Sequence, residues 1–588
     1  MQLNLHQTHH EIGDFEAIFK YLTTTFQSGK QKGLHLFPEL FLTGYPLQDL
    51  VLQKTFIQDY MAFLSDLSAW SQKQLKSDSG NDLALLMGGL SYHFDSLGLP
   101  SQIENVIYLL EPGKKIQNIY TKQLLPNYDL YEEKKYFTPG NHSSYFNFNN
   151  KVIGLLVCED MWFSHLHEID PVEQLKDLLQ SKKLNCDLVI NLSASPYHLG
   201  KSDQRINRAL EISQFLKAPF AYVNRVGAED EIIFDGNSFV VDGDKVIKMC
   251  KAFKNDVVTT DFPEYKSPEK NRRRSLNTNA NSWATIYSTR LSSDALKLNP
   301  LNSDECQEIL DAIILGISDY SLKNKISKFS IALSGGMDSS LVLTILKLLK
   351  DKNLFPMEIE AIFMPGFFSS SLSYDLSYDL CQNLGIKLTS YPIKFIHSAI
   401  RNAYKDCFHS DLEGLADENI QSRLRGNLIY ARSNAIGSIV LNTSNKSEIA
   451  VGYSTIYGDS VGALSVLGDL YKSEVFDLAN YINLKYPNLI PDEIISRPPS
   501  AELRENQEDS QSLPPYERLD PILEALLSNR YCAEELIKKG HKSEEVLKVF
   551  NLIIKSEYKR KQFCPIIKVK AKSFGFGHRI PISKKITL

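Results

Sequence analysis

The stretch Ser330-Ile331-Ala332-Leu333-Ser334-Gly335-Gly336-Met337-Asp338-Ser339-Ser340-Leu341 decides the architecture of half this chain. A short apolar run reads as a strand. It breaks at a Ser-Gly-Gly turn, and an amphipathic helical pattern follows over 339–350. Two adjacent glycines let the backbone turn tightly and expose consecutive N–H groups. The start of the following helix adds unpaired donors and a partial positive charge, so the loop is an anion cradle. No Gly-Lys-Ser/Thr ending is present, which excludes the loop that grips the γ-phosphate in kinases and GTPases. An aspartate inside an anion cradle would repel phosphate unless a cation stood between them, so Asp338 points to Mg²⁺ bridging to phosphate. The competing structural reading is a glycine-rich turn with Asp or Ser as helix N-cap.

Working outward, residues 303–323 and 373–384 have helical patterns, and 358–364 reads as a strand. Strands that alternate with helices imply a parallel sheet. The first part of the chain reads as a second α/β unit. Its expected strands are 34–41, 83–88, 106–110, 152–157, 188–192, 220–224 and 239–242, and helical patterns lie at 15–26, 54–75 and 204–216. Residues 266–300 read as a linker between a domain over 1–265 and a second over 301–588; Asn271-Arg272-Arg273-Arg274 lies within it. No internal repeat relates the halves.

Composition narrows the class without naming a chemistry. The chain has 588 residues, 43% hydrophobic and 23% charged, with a net charge of −5. These values are ordinary for a multidomain globular protein. Nothing in them suggests a protein built around nucleic acid, although a local basic strip is allowed. The longest apolar runs are far shorter than the roughly 18 residues a membrane span needs. Residues 1–20 lack a basic segment followed by an apolar one, so no secretory signal is expected. Eight cysteines occur singly with no C-x-x-C pair, which argues against a zinc ribbon, an iron–sulfur site and a disulfide framework. A reducing cytoplasm is the expected compartment.

Residues 334–340 resemble the S-G-G-x-D-S-[ST] loop of the N-type ATP pyrophosphatases, which cleave ATP to AMP and pyrophosphate. Downstream segments resemble one branch of that family, the NAD synthetases. They are Asn419-Ile420-Gln421-Ser422-Arg423-Leu424-Arg425, Thr443-Ser444-Asn445-Lys446-Ser447-Glu448, Tyr453-Ser454-Thr455-Ile456-Tyr457-Gly458-Asp459, Asp469-Leu470-Tyr471-Lys472 and Ser496-Arg497-Pro498-Pro499-Ser500-Ala501-Glu502-Leu503. The resemblance covers residues 300–588. It implies ATP binding by Ala332, Leu333, Ser334, Gly335, Gly336, Met337, Asp338, Ser339 and Thr443. It further implies metal binding by Asp338 and Glu448, and contacts to deamido-NAD from Asn419, Glu448 and Lys559. Glu448 therefore carries two implied roles. The segment Gln562-Phe563-Cys564-Pro565-Ile566 departs from the family's Q-A-P-P-G.

In the first half, Glu39, Lys122 and Cys158 each follow a strand-like apolar run. A cysteine at a strand end, with a base and a cation beside it, is the arrangement of a thiolate nucleophile. Glu39 would take the thiol proton. Lys122 would lower the thiolate's energy and, with a backbone N–H after Cys158, stabilise an oxyanion. The surrounding P-E-L-x-x-x-G-Y, K-x-x-L-P-N-Y, C-E-D-x-W and N-x-S-x-S-P segments resemble the nitrilase superfamily, in the amidase branch fused to NAD synthetases. That resemblance implies an α-β-β-α sandwich over 1–265 and glutamine binding by Tyr128, Ser195 and Lys201. The resulting fold class is α/β: a nitrilase-type sandwich, then a parallel-sheet domain of the adenine-nucleotide α-hydrolase-like, N-type ATP pyrophosphatase kind.

Together the resemblances imply a carbon–nitrogen ligase in which glutamine hydrolysis supplies ammonia, through a shielded path, for ATP- and Mg²⁺-dependent amidation of deamido-NAD. The implied partners are these small molecules, with no nucleic acid and no membrane, in a homo-oligomer. Two other readings compete. One is an amidotransferase whose pyrophosphatase half acts on a different nucleotide, such as a purine nucleotide. The other is a non-catalytic amidase-fold scaffold.

Overall fold

The computed structural model describes all residues except 27, 28, 30, 76–81, 164–166, 268–289, 501, 506, 508 and 586–588. The Asn271–Arg274 cluster therefore lies outside the described residues. The chain forms two compact units. One comprises Met1–Glu229 with the chain from Ile233, and the other runs from Ile286 to Leu588 with Asp230–Ile232.

The first unit holds two six-stranded sheets. In spatial order one runs Asp256–Asp261, Gln2–Gln7, Gly33–Leu36, Leu83–Phe94, Pro100–Leu110, Gln117–Thr121. The other runs Lys245–Met249, Phe239–Asp242, Phe220–Asn224, Leu188–Ser193, Lys151–Val157, Tyr145–Phe148. Strand alternation sends Ile153, Leu155 and Val157 into a core shared with Leu3, Leu5, Leu34 and Leu36 of the facing sheet. Val152 and Leu156 face the other way, onto the helices Pro171–Ser181 and Lys201–Leu216. Both faces of this sheet are covered, which explains why its strands read as continuous apolar runs. On the opposite side, the helix Lys54–Lys73 ties down through Tyr60, whose hydroxyl donates to the Leu90 carbonyl at 3.0 Å.

The edge strands were not legible in the sequence. Lys245–Met249 is wholly exposed, and Asp256–Asp261 alternates between half-buried and exposed. Gln2–Gln7 is central, yet carries Asn4 and His6 on its helix-facing side. Their polarity is satisfied: Thr259 donates to Asn4 at 2.7 Å, and His6 pairs with His35 at 2.8 Å and stacks on Phe37.

The second unit is built on a five-stranded parallel sheet ordered Leu388–Ser390, Glu358–Phe363, Lys328–Leu333, Ile439–Asn442, Leu464–Ser465. From Lys328–Leu333 the chain steps outward to one edge. It then returns to Ile439–Asn442 on the other side, so the strand order reverses between these two neighbours. In such sheets the crevice outside the carboxyl ends at the reversal is the ligand site. The helix after the glycine loop spans Met337–Asp351 with Gly336 as N-cap, so it begins earlier than the pattern over 339–350 suggested. Ser340 Oγ donates to the Gly336 carbonyl at 2.7 Å, and Asp338 and Ser339 sit in the first helical turn. Neither Asp nor Ser is the cap.

Candidate active sites

In the first unit, Cys158 follows Lys151–Val157 directly and opens the 3₁₀ turn Cys158–Met161. Its φ is +43°, a conformation non-glycine residues seldom adopt and which clusters at functional sites. Two side chains enforce it. Asn191 accepts from the Cys158 N–H at 2.9 Å and donates to the Cys158 carbonyl at 3.3 Å. Asp160 accepts from Val157 N–H at 2.9 Å, from Leu124 N–H at 2.8 Å and from the Tyr120 hydroxyl at 2.8 Å. Asp160 thereby joins the cysteine turn to the segment that carries Lys122.

Glu39 enters on the loop after Gly33–Leu36. That loop lies directly against Gly88, where a Cβ would come within 2.3 Å of Leu40 N and 2.6 Å of the Glu39 Cα. Glu39 accepts from Lys122 Nζ at 2.7 Å, Asn105 Nδ2 at 2.8 Å and Ala194 N–H at 2.7 Å. Lys122 is 0% exposed and also donates to Glu133, at 2.8 and 3.0 Å. Tyr45 supplies a further donor to Glu133 at 3.0 Å. Sequence reasoning missed Glu133. It lies in Tyr131-Glu132-Glu133-Lys134-Lys135, which reads as a solvated charge run, and only the tertiary fold turns it inward.

Burial works to lower the Lys122 pKa, but Glu133 and Glu39 outweigh it and hold the ammonium charged. Burial raises Glu133 to about 7 against the pull of Lys122. Burial and the Glu39 carboxylate push the Cys158 thiol well up, and Lys122 offsets this only in part. The upward shift favours the protonated thiol, so Cys158 would need a base beside it, and Glu39 is the carboxylate there.

Tyr128, Ser195 and Lys201 all belong to this neighbourhood. The Tyr128 hydroxyl donates to both oxygens of Glu159, at 2.9 and 3.0 Å. Ser195 accepts from Arg205 at 3.2 Å, and Arg205 is itself paired with Asp235 at 2.7 Å. Lys201 lies over the Trp162 ring at 4.6 Å. Burial moves Glu159 up to about 8 and Lys201 down to about 8, while each one's charge favours the other's ionised form. The buried Glu159 carboxyl and the half-buried Lys201 amine are complementary to the ammonium and carboxylate ends of a free amino acid.

In the second unit a cavity of about 270 Å³ opens at the strand-order reversal. Ala332, Leu333, Ser334, Gly336, Met337, Asp338, Ser339, Thr443 and Glu448 all line it. Gly335 stands behind the lining with φ +75°, where a Cβ would sit 2.4 Å from the Ser373 carbonyl oxygen. Ser334 and Ser339 pin the loop: Ser339 Oγ lies 3.2 Å from Ser334 N–H and 3.1 Å from Ser334 Oγ.

Asp338 accepts from Asn445 Nδ2 at 3.0 Å and is paired with Lys472, which stands 3.9 Å from Glu448. Burial and the Asp338 charge raise Glu448 to about 8. The two neighbouring carboxyl groups offer hard oxygen donors suited to Mg²⁺, and a bound cation would favour the ionised form of Glu448. Among the described residues no group of three or more His, Cys, Asp or Glu is placed to hold a metal. An ion here would therefore need phosphate oxygens to complete its shell, as Mg²⁺ commonly does.

Asn419 and Lys559 do not line the cavity. Asn419 accepts from Thr455 at 2.8 Å, and Lys559 donates to the Gly452 and Ser454 carbonyls at 2.7 and 2.6 Å. They flank one loop from two sides. Lys472, Arg425 and Arg497 also line the cavity and had no role assigned from sequence, although each lies in a quoted motif.

These features define a two-part class: a cysteine amidohydrolase sandwich joined to a nucleotide-binding parallel-sheet ligase unit. The comparisons agree. A carbon-nitrogen hydrolase family model matches residues 13–265, and an NAD synthase model matches 309–563. The glutamine-dependent NAD(+) synthetase of Thermotoga maritima is 34% identical over 100% of this chain and 99% of its own length. That of Synechocystis is 35% identical over 96% and 95%. The solved glutamine-dependent NAD+ synthetase of Acinetobacter baumannii, in complex with ADP, is 29% identical with a TM-score of 0.69, covering 99% of this chain and 98% of that one. The chain belongs to the glutamine-dependent NAD(+) synthetases, ligases that also carry a glutamine-hydrolysing domain.

Proposed function

We propose that the two sites divide one reaction between them as follows. Cys158 Sγ attacks the side-chain amide carbon of glutamine while Glu39 takes the thiol proton. Glu39 returns that proton to the departing nitrogen, ammonia leaves, and a thioester remains. Water, deprotonated by Glu39, hydrolyses the thioester to glutamate and restores the thiol. Lys122, held by Glu39 and Glu133, supplies positive charge where the tetrahedral oxyanion builds up. Glu159 with Tyr128 takes the substrate's α-ammonium group, and Lys201 with Ser195 takes its carboxylate.

In the other unit, the nicotinate carboxylate of deamido-NAD attacks the α-phosphorus of ATP, and the bond to pyrophosphate breaks. The acyl adenylate is the electrophile a free carboxylate is not. Ammonia adds to its carbonyl carbon, AMP leaves, and NAD remains. The glycine loop and the start of the Met337–Asp351 helix cradle the phosphates, with Thr443 beside them. Asp338 and Glu448 would hold Mg²⁺, which when bound would offset phosphate charge. Asn419 and Lys559 would orient deamido-NAD through the Gly452–Thr455 loop they brace. The Acinetobacter baumannii relative was solved in complex with ADP, which supports adenine-nucleotide binding by this chain. No described helix is long and apolar enough to cross a membrane. A cytoplasmic homo-oligomer is part of the proposal.

The observation that carries this reading is the Glu39–Lys122–Glu133 network beside Cys158, in a chain whose other unit presents Asp338 at a strand-reversal cavity. Cys158→Ala should abolish NAD formation from glutamine and leave formation from ammonium intact. Loss of both would overturn the division of labour. Asp338→Ala should lose both, and retained ammonium-dependent synthesis would overturn its place at the phosphates.

A further inference from the structure

The segment after Lys561 crosses the second unit as an additional strand-like strap. Ile566 bridges in parallel to Ser465, with Ser465 N–H donating to the Pro565 carbonyl at 2.8 Å and Ile567 N–H to the Ser465 carbonyl at 3.1 Å. Beyond it, Asp469 is the fastening. This carboxylate is 1% exposed. One oxygen accepts the backbone N–H groups of Val569 and Lys570 at 2.9 and 2.8 Å. The other accepts Lys446 Nζ at 2.9 Å, and Lys446 also donates to the Lys572 carbonyl.

The groups that Asp469 gathers lead straight to Asp338. Lys446 is preceded by Asn445, which donates to Asp338, and Lys446 N–H donates to the Leu470 carbonyl at 2.8 Å. Asp469 precedes Lys472 by three residues, and Lys472 N–H donates to Ser447 Oγ at 2.9 Å. The loops carrying Asn445 and Lys472 are thus latched to each other and bolted to the strap at one buried carboxylate. Lys570 adds a second tie, to Glu474, whose other oxygen accepts from Tyr471 N–H at 2.9 Å.

We infer that Asp469, with Lys446, is a positioning residue for adenylation: it couples docking of the 565–572 strap to the placement of Lys472 and Asn445 on Asp338. The inference rests on Asp338 belonging to the ATP site. Loss of an outer-shell partner of this kind costs about 10- to 100-fold. Asp469→Asn should therefore lower kcat/KM for ATP in ammonium-dependent NAD synthesis about 10- to 100-fold, mainly through KM. The KM for deamido-NAD and the rate of Cys158 alkylation by a glutamine-like electrophile should stay within about twofold. Hydrogen exchange at Val569 and Lys570 should accelerate in the same variant. Lys446→Met, which leaves both strap N–H bonds in place, should show the ATP defect, and the double variant should be no worse than the worse single one because the pair acts as a unit. Unchanged ATP kinetics in both single variants, an equal loss in kcat with KM untouched, or fully additive effects would each overturn the inference. If Asp338→Ala leaves ATP use intact, the ATP-site reading fails instead, whatever the strap exchange shows.

Discussion

Replacing Glu133 by Gln tests the electrostatics of the amidase site most directly. Glu133 is isosteric with Gln but brings a charge to a site where Lys122 touches two carboxylates. At 2.8 Å and an effective dielectric constant of 20, the Lys122–Glu133 attraction is about 6 kcal/mol. Losing it leaves Glu39 as the sole carboxylate on Lys122, so the ammonium is held less firmly where the oxyanion builds up. If one third of that energy, about 2 kcal/mol, is lost from the transition state, the rate drops about 30-fold. Complete loss of general-base assistance would cost about 10²- to 10⁴-fold. Kinetics should therefore show glutaminase kcat/KM reduced by about 30-fold or more, read as glutamate release. NAD formation from ammonium should be unchanged. The variant should also melt earlier, because breaking a buried ion pair from one side costs about 3–5 kcal/mol. Glutaminase kcat/KM within threefold of the parent, in a folded variant, would refute the claim that Glu133 sets the charge balance on Lys122.

Other outcomes follow from the same geometry. Gly335→Ala places a Cβ 2.4 Å from the Ser373 carbonyl oxygen at a φ of +75°. It should cost about 1–3 kcal/mol of strain. ATP binding measured by calorimetry should weaken sharply while glutaminase activity is retained. Glu448 has its pKa raised to about 8 by burial and Asp338, so between about 4.5 and 8 the folded chain binds more protons than the unfolded one. Stability should therefore fall as pH rises through that window, by up to about 1.4 kcal/mol per pH unit. Glu448→Gln should flatten this slope in denaturant titrations at pH 5, 6, 7 and 8; an unchanged slope would remove Glu448 as its source.

Much of the fold was legible because buried strands covered on both faces must be apolar throughout. Lys151–Val157 and Leu188–Ser193 announced themselves in that way. Lys245–Met249 and Asp256–Asp261 did not, since an edge strand has no second face to bury and its alternation drowns in surface polarity. Gln2–Gln7 did not announce itself either, for another reason. Its buried Asn4 and His6 find partners far along the chain, so their polarity is compatible with burial only once those partners are present.

The chain's chemistry divides along the same line. Sequence alone singled out the candidate reactive groups and the anion-cradling glycine loop, because a thiol, a glycine turn and a helix start are local properties of a few consecutive residues. It also determined the order of the halves, since each motif lies on its own α/β pattern. Tertiary structure decided the charge each group carries. Glu133 became a partner of Lys122 only when the Glu132-Glu133 turn folded inward, while burial of Cys158 itself and the Glu39 carboxylate push the thiol well up. It also decided that Asn419 and Lys559 brace a loop instead of lining the cavity, and that Lys472 reaches Asp338. Those contacts join residues separated by tens to hundreds of positions, and no local pattern encodes a Coulomb energy that depends on distance and burial.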